Sequence, residues 1–161
     1  VLGSREEYVG ALAFVEKSFA DESEYEVRIR PHPMTPLDDA MEIAPLVRRD
    51  FFSTSKDSLT GDLQWADVVL YASSTVALEA LSAGIPVIYM DLGDFLDADP
   101  MFDWSEFKWA VSEPTEMATA IRDIESVSDV RFKELQEKGR QYASDYLRPV
   151  TDSAIRAFLE A

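Results

Sequence analysis

The residues best suited to chemistry follow an apolar run near the middle of the chain. Ser73 and Ser74 come directly after residues 67–72, which have the pattern of a buried parallel strand, and a helix pattern begins with them. Backbone amides at a helix start, together with the positive end of the helix dipole, can hold a phosphate, and serine hydroxyls can cap the same amides. The turn therefore predicts an anion site at the carboxyl end of a strand, where open α/β sheets bind ligands.

Glu79 is an acid among the apolar residues of this predicted helix. A capping box places its acid three residues after the cap, and counted from Ser74 that position is Ala77. A carboxylate one turn beyond a phosphate-binding helix start can accept two hydrogen bonds from a ribose. The spacing alone leaves two interpretations open, a ribose ligand or a side chain that points to solvent.

His32 is the only histidine, and it lies between two prolines at a predicted strand end, after Arg28 and Arg30. A fixed imidazole beside an arginine can donate to a phosphate or offset the charge of a leaving diphosphate. The alternative is a surface histidine in a rigid turn. Because the prolines favour a held geometry, we expect Arg30 and His32 to contribute to the site.

Two further polar turns are weaker candidates. Gly3 and Ser4 precede a predicted helix and can offer additional amides to an anion, although this pattern is short and common. Ser53, Thr54 and Ser55 follow another predicted strand and can contact a base or a phosphate. Polar loops after strands are ordinary, so we treat these residues as secondary candidates.

The acids between positions 91 and 103 predict a solvated loop. Their spacing lacks the defined ligands, the central glycine and the terminal glutamate of an EF-hand, so no metal site is predicted. The acids are Asp91, Asp94, Asp97, Asp99 and Asp103.

An aromatic segment overlaps this loop and is expected either in the core or at a docking surface. Its members are Phe95, Phe102, Trp104, Phe107 and Trp109. The segment supports an alternative function as a non-catalytic α/β interaction module. No Ser-His-Asp elbow, phosphate-binding Walker loop or zinc histidine pair is found in the sequence, which disfavours a self-contained hydrolase.

Composition limits the function further. With 161 residues, of which 47% are hydrophobic, the chain can form one folded domain. A net charge of -16 argues against nucleic acid and anionic lipid as general partners. The sequence has no cysteine and no apolar run of membrane-spanning length, so we expect a cytoplasmic protein, membrane-peripheral only through other parts of a longer polypeptide.

Strand and helix patterns alternate along the chain, which predicts a Rossmann-like α/β fold: a mostly parallel sheet with helices on both faces, in a single domain over 1–161. Strands are predicted at 25–30, 50–54, 67–72, 85–90 and 107–111, and helices at 5–20, 37–47, 58–66, 74–83, 114–126, 129–146 and 151–160. Val1 and Leu2 can end a further strand, so we expect a fragment of a longer polypeptide. Right-handed crossovers would bring the polar strand ends to one edge of the sheet.

Residues 66–88 and the Arg-Pro-His-Pro pattern at 30–33 resemble the C-terminal, donor-binding half of GT-B glycosyltransferases, and the resemblance extends over nearly the whole chain. It implies that Ser73, Ser74 and Thr75 hold the donor phosphates and that Glu79 holds the ribose. The His-Pro pattern is most similar to the capsule, sialic-acid and CDP-glycerol transferases, in which the histidine helps to bind the nucleotide phosphate.

The resemblance implies a nucleotide-sugar-binding domain for surface-polysaccharide or glycoconjugate synthesis, with no required metal or other cofactor. Its partners would be the nucleotide sugar and an N-terminal acceptor-binding domain of the same polypeptide, without which we expect this chain to be inactive. UDP-sugar 2-epimerases share the architecture and stay an alternative, although their corresponding segment is richer in glycine than residues 73–75.

Overall fold

The computed structural model has parallel strands that alternate with helices. It describes residues 5–19, 24–32, 36–38, 42, 51–93, 99–149 and 151–159. The strands in these ranges are β1 (Val27–Ile29), β2 (Phe52–Thr54), β3 (Val69–Tyr71), β4 (Val87–Met90) and β5 (Lys108–Val111). The α-helices are α1 (Arg5–Phe19), α2 (Leu59–Trp65), α3 (Val76–Ala83), α4 (Met117–Glu125), α5 (Asp129–Tyr146) and α6 (Asp152–Leu159), and a 3-10 turn spans Pro114–Glu116.

Every strand pair in the described part of the chain is parallel. β1 pairs with β2, placing Val27 opposite Phe52. β4 lies between β3 and β5, and its Val87 is opposite Val69 on one side and Lys108 on the other. The structure therefore confirms the predicted α/β class with parallel sheets, here one of two strands and one of three.

The three-stranded sheet is buried on both faces. Ile88 and Met90 of β4 belong to a core cluster that also contains residues of α1 and α4. Val87 belongs to a second cluster, which contains residues of α3 and α5. Because side chains alternate along a strand, these clusters lie on opposite faces, and the continuous apolar run of β4 is explained by helices on both sides.

Gly84 ends α3, as the sequence predicts. Its φ of 79° lies in the left-handed region, which glycine adopts without steric cost. The Ile85 amide donates to the Ala80 carbonyl at 2.9 Å, and the Gly84 amide donates to Leu81 at 2.9 Å. These bonds satisfy the last carbonyls of α3 and turn the chain into the segment that leads to β4.

Helix α5 packs closely on α3. The Ser128 hydroxyl caps α5 by accepting from the Arg131 amide at 3.4 Å. Gly139 lies on the buried face of α5, and a Cβ at this position would be 3.4 Å from both Leu81 and Phe107. The glycine therefore lets α5 approach α3 closely on this face of the sheet.

Some predicted boundaries differ from the structure. Helix α3 begins at Val76, two residues after the predicted start at Ser74. The helix predicted from Pro114 is a 3-10 turn followed by α4. Most of the predicted helix at 37–47 and the predicted strand end at Val1 and Leu2 lie outside the described residues.

Candidate functional site

The turn between β3 and α3 lies at the carboxyl end of β3, where the sequence predicts an anion site. Ser74 is buried, and its hydroxyl accepts a hydrogen bond from the Val76 amide at 3.2 Å. Thr75 is exposed and makes no side-chain capping bond, whereas Ser73 is half-buried and has a partner in the structure. Ser74 therefore fixes the helix start from within, and Thr75 presents its hydroxyl to the outside.

Glu79 lies in the first turn of α3 and is exposed. Within the described part of the chain, no hydrogen bond or ion pair involves its carboxylate. A negative charge at this end of a helix interacts favourably with the helix dipole. Glu79 is thus an accessible acceptor one turn beyond the capping Ser74, a placement compatible with both interpretations that its spacing leaves open.

Asp62 of α2 joins the carboxyl ends of β1 and β2, a role that the sequence does not reveal. It is buried, and the Ser55 hydroxyl lies 2.7 and 2.6 Å from its two carboxylate oxygens. Arg30 donates to the same carboxylate at 2.6 Å. The predicted phosphate ligand Arg30 and the predicted base ligand Ser55 are therefore brought together by an acid from a third element.

Arg28 and Arg30 both form ion pairs with Asp62. The Arg28 guanidinium lies 3.6 Å from the Asp62 carboxylate and 3.9 Å above the centre of the Trp65 ring, a cation–π contact. Arg30 also donates to the Asp57 carbonyl at 2.9 Å, and its side chain keeps 38% of its surface exposed. Both guanidinium groups are thus held by the protein, but Arg30 retains an accessible side.

Opposing effects determine the pKa of the Asp62 carboxyl. Burial raises the pKa of this carboxyl, but the hydrogen bonds from Ser55 and Arg30, the charge of Arg30 and a bond from Arg28 outweigh burial and leave the pKa below its ordinary value. The carboxylate is therefore the form that holds the ends of β1 and β2 together.

The lowered pKa of Asp62 predicts a pH-dependent contribution to stability. Because the folded-state pKa lies below the unfolded value of about 3.9, the ionised carboxylate stabilises the fold above that pH, and the contribution is lost as pH falls through the folded-state pKa. We expect Asp62→Asn to lower the free energy of unfolding by about 1.5–3 kcal/mol at pH 7 and by less at pH 3. Urea unfolding of both proteins at the two pH values measures this difference. Glu137→Gln, at an exposed ion pair, is the control, and an equal difference at both pH values would contradict the prediction.

His32 lies just beyond β1 and is half-buried, with interactions of its own in the structure. Tyr8 of α1 packs beside its backbone and is almost fully buried. Burial raises the pKa of Tyr8, and the nearby His32 backbone lowers it by less. The Tyr8 hydroxyl nevertheless makes no hydrogen bond of good geometry in the described part of the chain. The contact places the start of α1 beside the carboxyl end of β1.

The other predicted site residues are exposed on β2 or lie outside the described residues. Ser53 and Thr54 are exposed, and the Ser53 hydroxyl lies 3.4 Å from the Val27 carbonyl, across the β1–β2 pair. Gly3 and Ser4 lie outside the described residues.

A cavity of about 1090 Å³ runs between the two sheets. Arg30 and Asp62 line it from the side of β1, and Ser74 lines it from the side of β3. The carboxyl ends of these strands therefore open onto the same space. The cavity connects two turns that the sequence predicts separately, whereas Glu79 lies on the exposed side of α3.

The acidic loop contains one buried ion pair, which corrects the prediction of a wholly solvated loop. Asp99 is buried and bonded to Lys108 at 2.6 Å, whereas Asp91 and Asp103 are exposed. Asp94 and Asp97 lie outside the described residues. Within the ranges that the structure describes, no group of three or more His, Asp or Glu side chains could hold a metal ion. In the same ranges, no helix has the length and apolar character needed to cross a bilayer.

The aromatic segment lies mainly in the core. Phe107 is buried, Trp109 contacts it edge-on, and Trp104 stacks on Tyr142 with ring centroids 4.5 Å apart. Phe102 differs, because 79% of its surface is exposed. Phe95 lies outside the described residues, so a docking surface in this segment would depend on Phe102 alone among the described members.

Comparison with known proteins assigns no family to the chain. It matches none of the protein-family models against which it was scanned, and no curated protein is significantly similar to it. Function is therefore inferred from the residues and the geometry described above.

Proposed function

We propose that this chain is the nucleotide-sugar-binding domain of a GT-B glycosyltransferase that acts in surface-polysaccharide or glycoconjugate synthesis. The observation that carries the proposal is that Arg30 and Ser74, at the carboxyl ends of β1 and β3, line one cavity. Ligands of open parallel sheets bind at this edge, outside the carboxyl ends of the strands. A phosphate bound there would have a guanidinium on one side and a helix start on the other.

The donor phosphates would bind at the start of α3. Ser73, Ser74 and Thr75 precede this helix, and the exposed Thr75 hydroxyl makes no capping bond, which leaves it suited to a ligand oxygen. Arg30 has further N–H donors besides the Nη1 group that bonds Asp62 and Asp57. Prearranged donors of this kind stabilise the charge that develops on a phosphate leaving group, and no metal is required for that purpose.

The nucleoside would extend from the phosphates along α3. Glu79 would accept hydrogen bonds from the ribose hydroxyls, since its carboxylate is exposed and lies one turn beyond Ser74. His32, beyond β1, would offset charge as the nucleotide leaves. The exposed Ser53 and Thr54 stay candidates for the base, whereas Ser55 is already bonded to Asp62.

The chain would supply donor binding and leave the acceptor to another part of the polypeptide. In this proposal an N-terminal domain binds the acceptor and carries the acidic general base. The activity would then belong to the pair of domains, and the property to measure in this chain is nucleotide affinity.

Isothermal titration with UDP, CDP, CMP and GDP tests the proposal, and we expect one of them to bind. Glu79→Gln should weaken that binding about tenfold, because it removes one charged hydrogen bond worth about 1.5 kcal/mol. His32→Ala should weaken it by a similar factor. Glu134→Gln is the control, because Glu134 is also exposed but lies on α5, and the nucleotide affinity of this variant should equal that of the unchanged chain.

Two results would contradict the proposal at different levels. If none of the four nucleotides binds either this chain or its longer polypeptide, the nucleotide-binding function is wrong. If a nucleotide binds but Glu79→Gln behaves like Glu134→Gln, the ribose role is wrong and the phosphate site stands. Circular dichroism of each variant establishes that a lost affinity is not a lost fold.

A further inference from the structure

The cavity between the two sheets is bounded by strand edges. Consecutive residues of β1 and of β3 line it, over 26–30 on one side and 66–72 on the other. Side chains alternate along a strand, so a cavity over one face would contact every second residue. Contact with consecutive residues indicates that the backbone edges of both strands face the cavity.

The hydrogen bonds of the two strands support this orientation. The Ile29 carbonyl accepts from the Ser55 amide at 2.8 Å, on the β2 side, and the Val69 amide donates to the Pro86 carbonyl at 3.1 Å, on the β4 side. In a parallel ladder, residues bonded to one neighbour alternate with residues that face the other side. Arg28 and Leu70 therefore direct their amides and carbonyls into the cavity, where buried backbone groups need partners.

Apolar side chains cover the cavity from both layers of helices. Leu12, Val15 and Phe19 of α1 line one side, and Leu63 of α2 with Phe132 of α5 lines the other. A strand in a parallel sheet has these surroundings, since it pairs at both edges and is buried on both faces.

The course of α1 identifies the element that fits. Tyr8, near the start of α1, packs beside the His32 backbone beyond the carboxyl end of β1, whereas Phe19, at its end, contacts Tyr25 before β1 with ring centroids 5.6 Å apart. Helix α1 thus runs back along β1, and the polypeptide enters it from the carboxyl edge of the sheet. A strand that ends at this edge, followed by α1 and β1, forms the usual right-handed crossover.

From these contacts we propose that the cavity is the slot for a β-strand of the same polypeptide, which runs parallel to β1 and β3 and leads into α1 at the carboxyl edge of the sheet. In the common doubly wound order, the first strand lies between the second and the fourth, which correspond here to β1 and β3. The strand joins the two sheets into one sheet of six strands and leaves the rim with Arg30 and Ser74 open. The pairing of this strand with β1 and β3 does not depend on nucleotide binding.

Amide hydrogen exchange of the natural full-length polypeptide, followed by NMR, tests the slot. The Arg28 and Leu70 amides should exchange at least about 100-fold more slowly than the same amides in an open strand edge. Nuclear Overhauser contacts should connect them to residues that precede α1 in the polypeptide. The Val69 amide, which bonds to Pro86, is the internal control and should be protected in every case. Fast exchange at Arg28 and Leu70 beside a protected Val69 would overturn the proposal.

A proline scan gives an independent readout. Leu70→Pro removes an amide that the proposed strand would use, so it should shift the urea midpoint far more than Leu70→Ala, which removes only the side chain. Ala110→Pro is the matched control, because Ala110 is exposed on β5, whose only partner among the described strands is β4. If Leu70→Pro and Leu70→Ala are equally stable, the edge of β3 is unpaired and the proposal fails.

Other occupants of the slot would give different results in these experiments. A strand from a second copy would make the protection of Leu70 depend on protein concentration and would give contacts between differently labelled chains in a mixed sample. A small molecule in the slot would leave Leu70→Pro as stable as Leu70→Ala. Either result would reject the strand of the same polypeptide.

Discussion

Asp99→Ala is expected to lower the free energy of unfolding by about 3–5 kcal/mol, because it leaves the Lys108 ammonium buried without its counter-ion. The Asp99 side chain is 4% exposed and that of Lys108 is 10% exposed, with 2.6 Å between the charged atoms. Asp99 also accepts from the Tyr71 hydroxyl at 2.8 Å and from the Met101 amide at 2.9 Å. One carboxylate therefore connects β3, β5 and the turn at Met101.

Urea unfolding followed by tryptophan fluorescence measures this loss. The double variant Asp99→Leu and Lys108→Met should recover much of it, because replacing both charges by apolar groups removes the unpaired charge. A second readout is the ionisation of Tyr71: burial and the Asp99 carboxylate raise its pKa, so Asp99→Ala should lower it in a spectrophotometric titration. Asp145→Ala, at an exposed ion pair, should cost less than about 1 kcal/mol. A similarly small cost for Asp99→Ala would show that the Lys108 charge tolerates isolation.

Leu81→Ala should lower the free energy of unfolding by about 2–5 kcal/mol, because it opens a cavity where α3 packs on α5. Leu81 is fully buried and lies at the position where α5 has Gly139. The effect should also reach the candidate site, since α3 starts at the turn that contains Ser74. Chemical denaturation at constant pH measures the change.

A size swap at the same contact separates packing from other causes. Gly139→Leu alone should destabilise the fold by about 1–3 kcal/mol through overpacking against Leu81 and Phe107. In the double variant with Leu81→Ala, the added leucine occupies the space that the alanine opens. The double variant should therefore lose less stability than the sum of the two single losses. Val130→Ala, on the exposed side of α5, should stay within about 0.5 kcal/mol. Additive losses would mean that the two positions do not share one packing contact.

Features encoded by neighbouring residues could be predicted from the sequence. Helix α5 spans 129–146 in both prediction and structure, because the Ser128 cap and the helical pattern that follows it are local signals. The end of α3 could also be predicted from the sequence, since Gly84 is followed by the strand-forming segment after Pro86. The parallel sheet followed from the alternation of such segments.

The start of α3 was predicted less well. Ser73, Ser74 and Thr75 are all suited to a helix start, and their types do not distinguish which one lies inside. The structure buries Ser74 and leaves Thr75 exposed immediately before Val76. Burial depends on packing against distant segments, which a local pattern does not contain.

Contacts between distant residues could not be predicted. Asp62 lies 32 residues from Arg30 in sequence, and an acid in a short helix gives no sign that it will be buried between two strand ends. Asp99 lies 28 residues from Tyr71, and among several acids it resembles a solvated residue. In both cases the structural role of the acid depends on a partner that is distant in the sequence. For Glu79 and His32 the structure gives position and exposure, and their function stays a prediction.

The pairing of Arg28 and Arg30 with Asp62 also determines how an anion would arrive. The two guanidinium groups at this rim are largely neutralised by Asp62 and Asp57, and the chain as a whole carries a charge of -16. At long range, a phosphate-bearing molecule is therefore repelled rather than steered, and its encounter rate should rise as salt screens the repulsion. Capture would depend on hydroxyl, amide and Arg30 N–H donors that act only after the molecule has reached the surface.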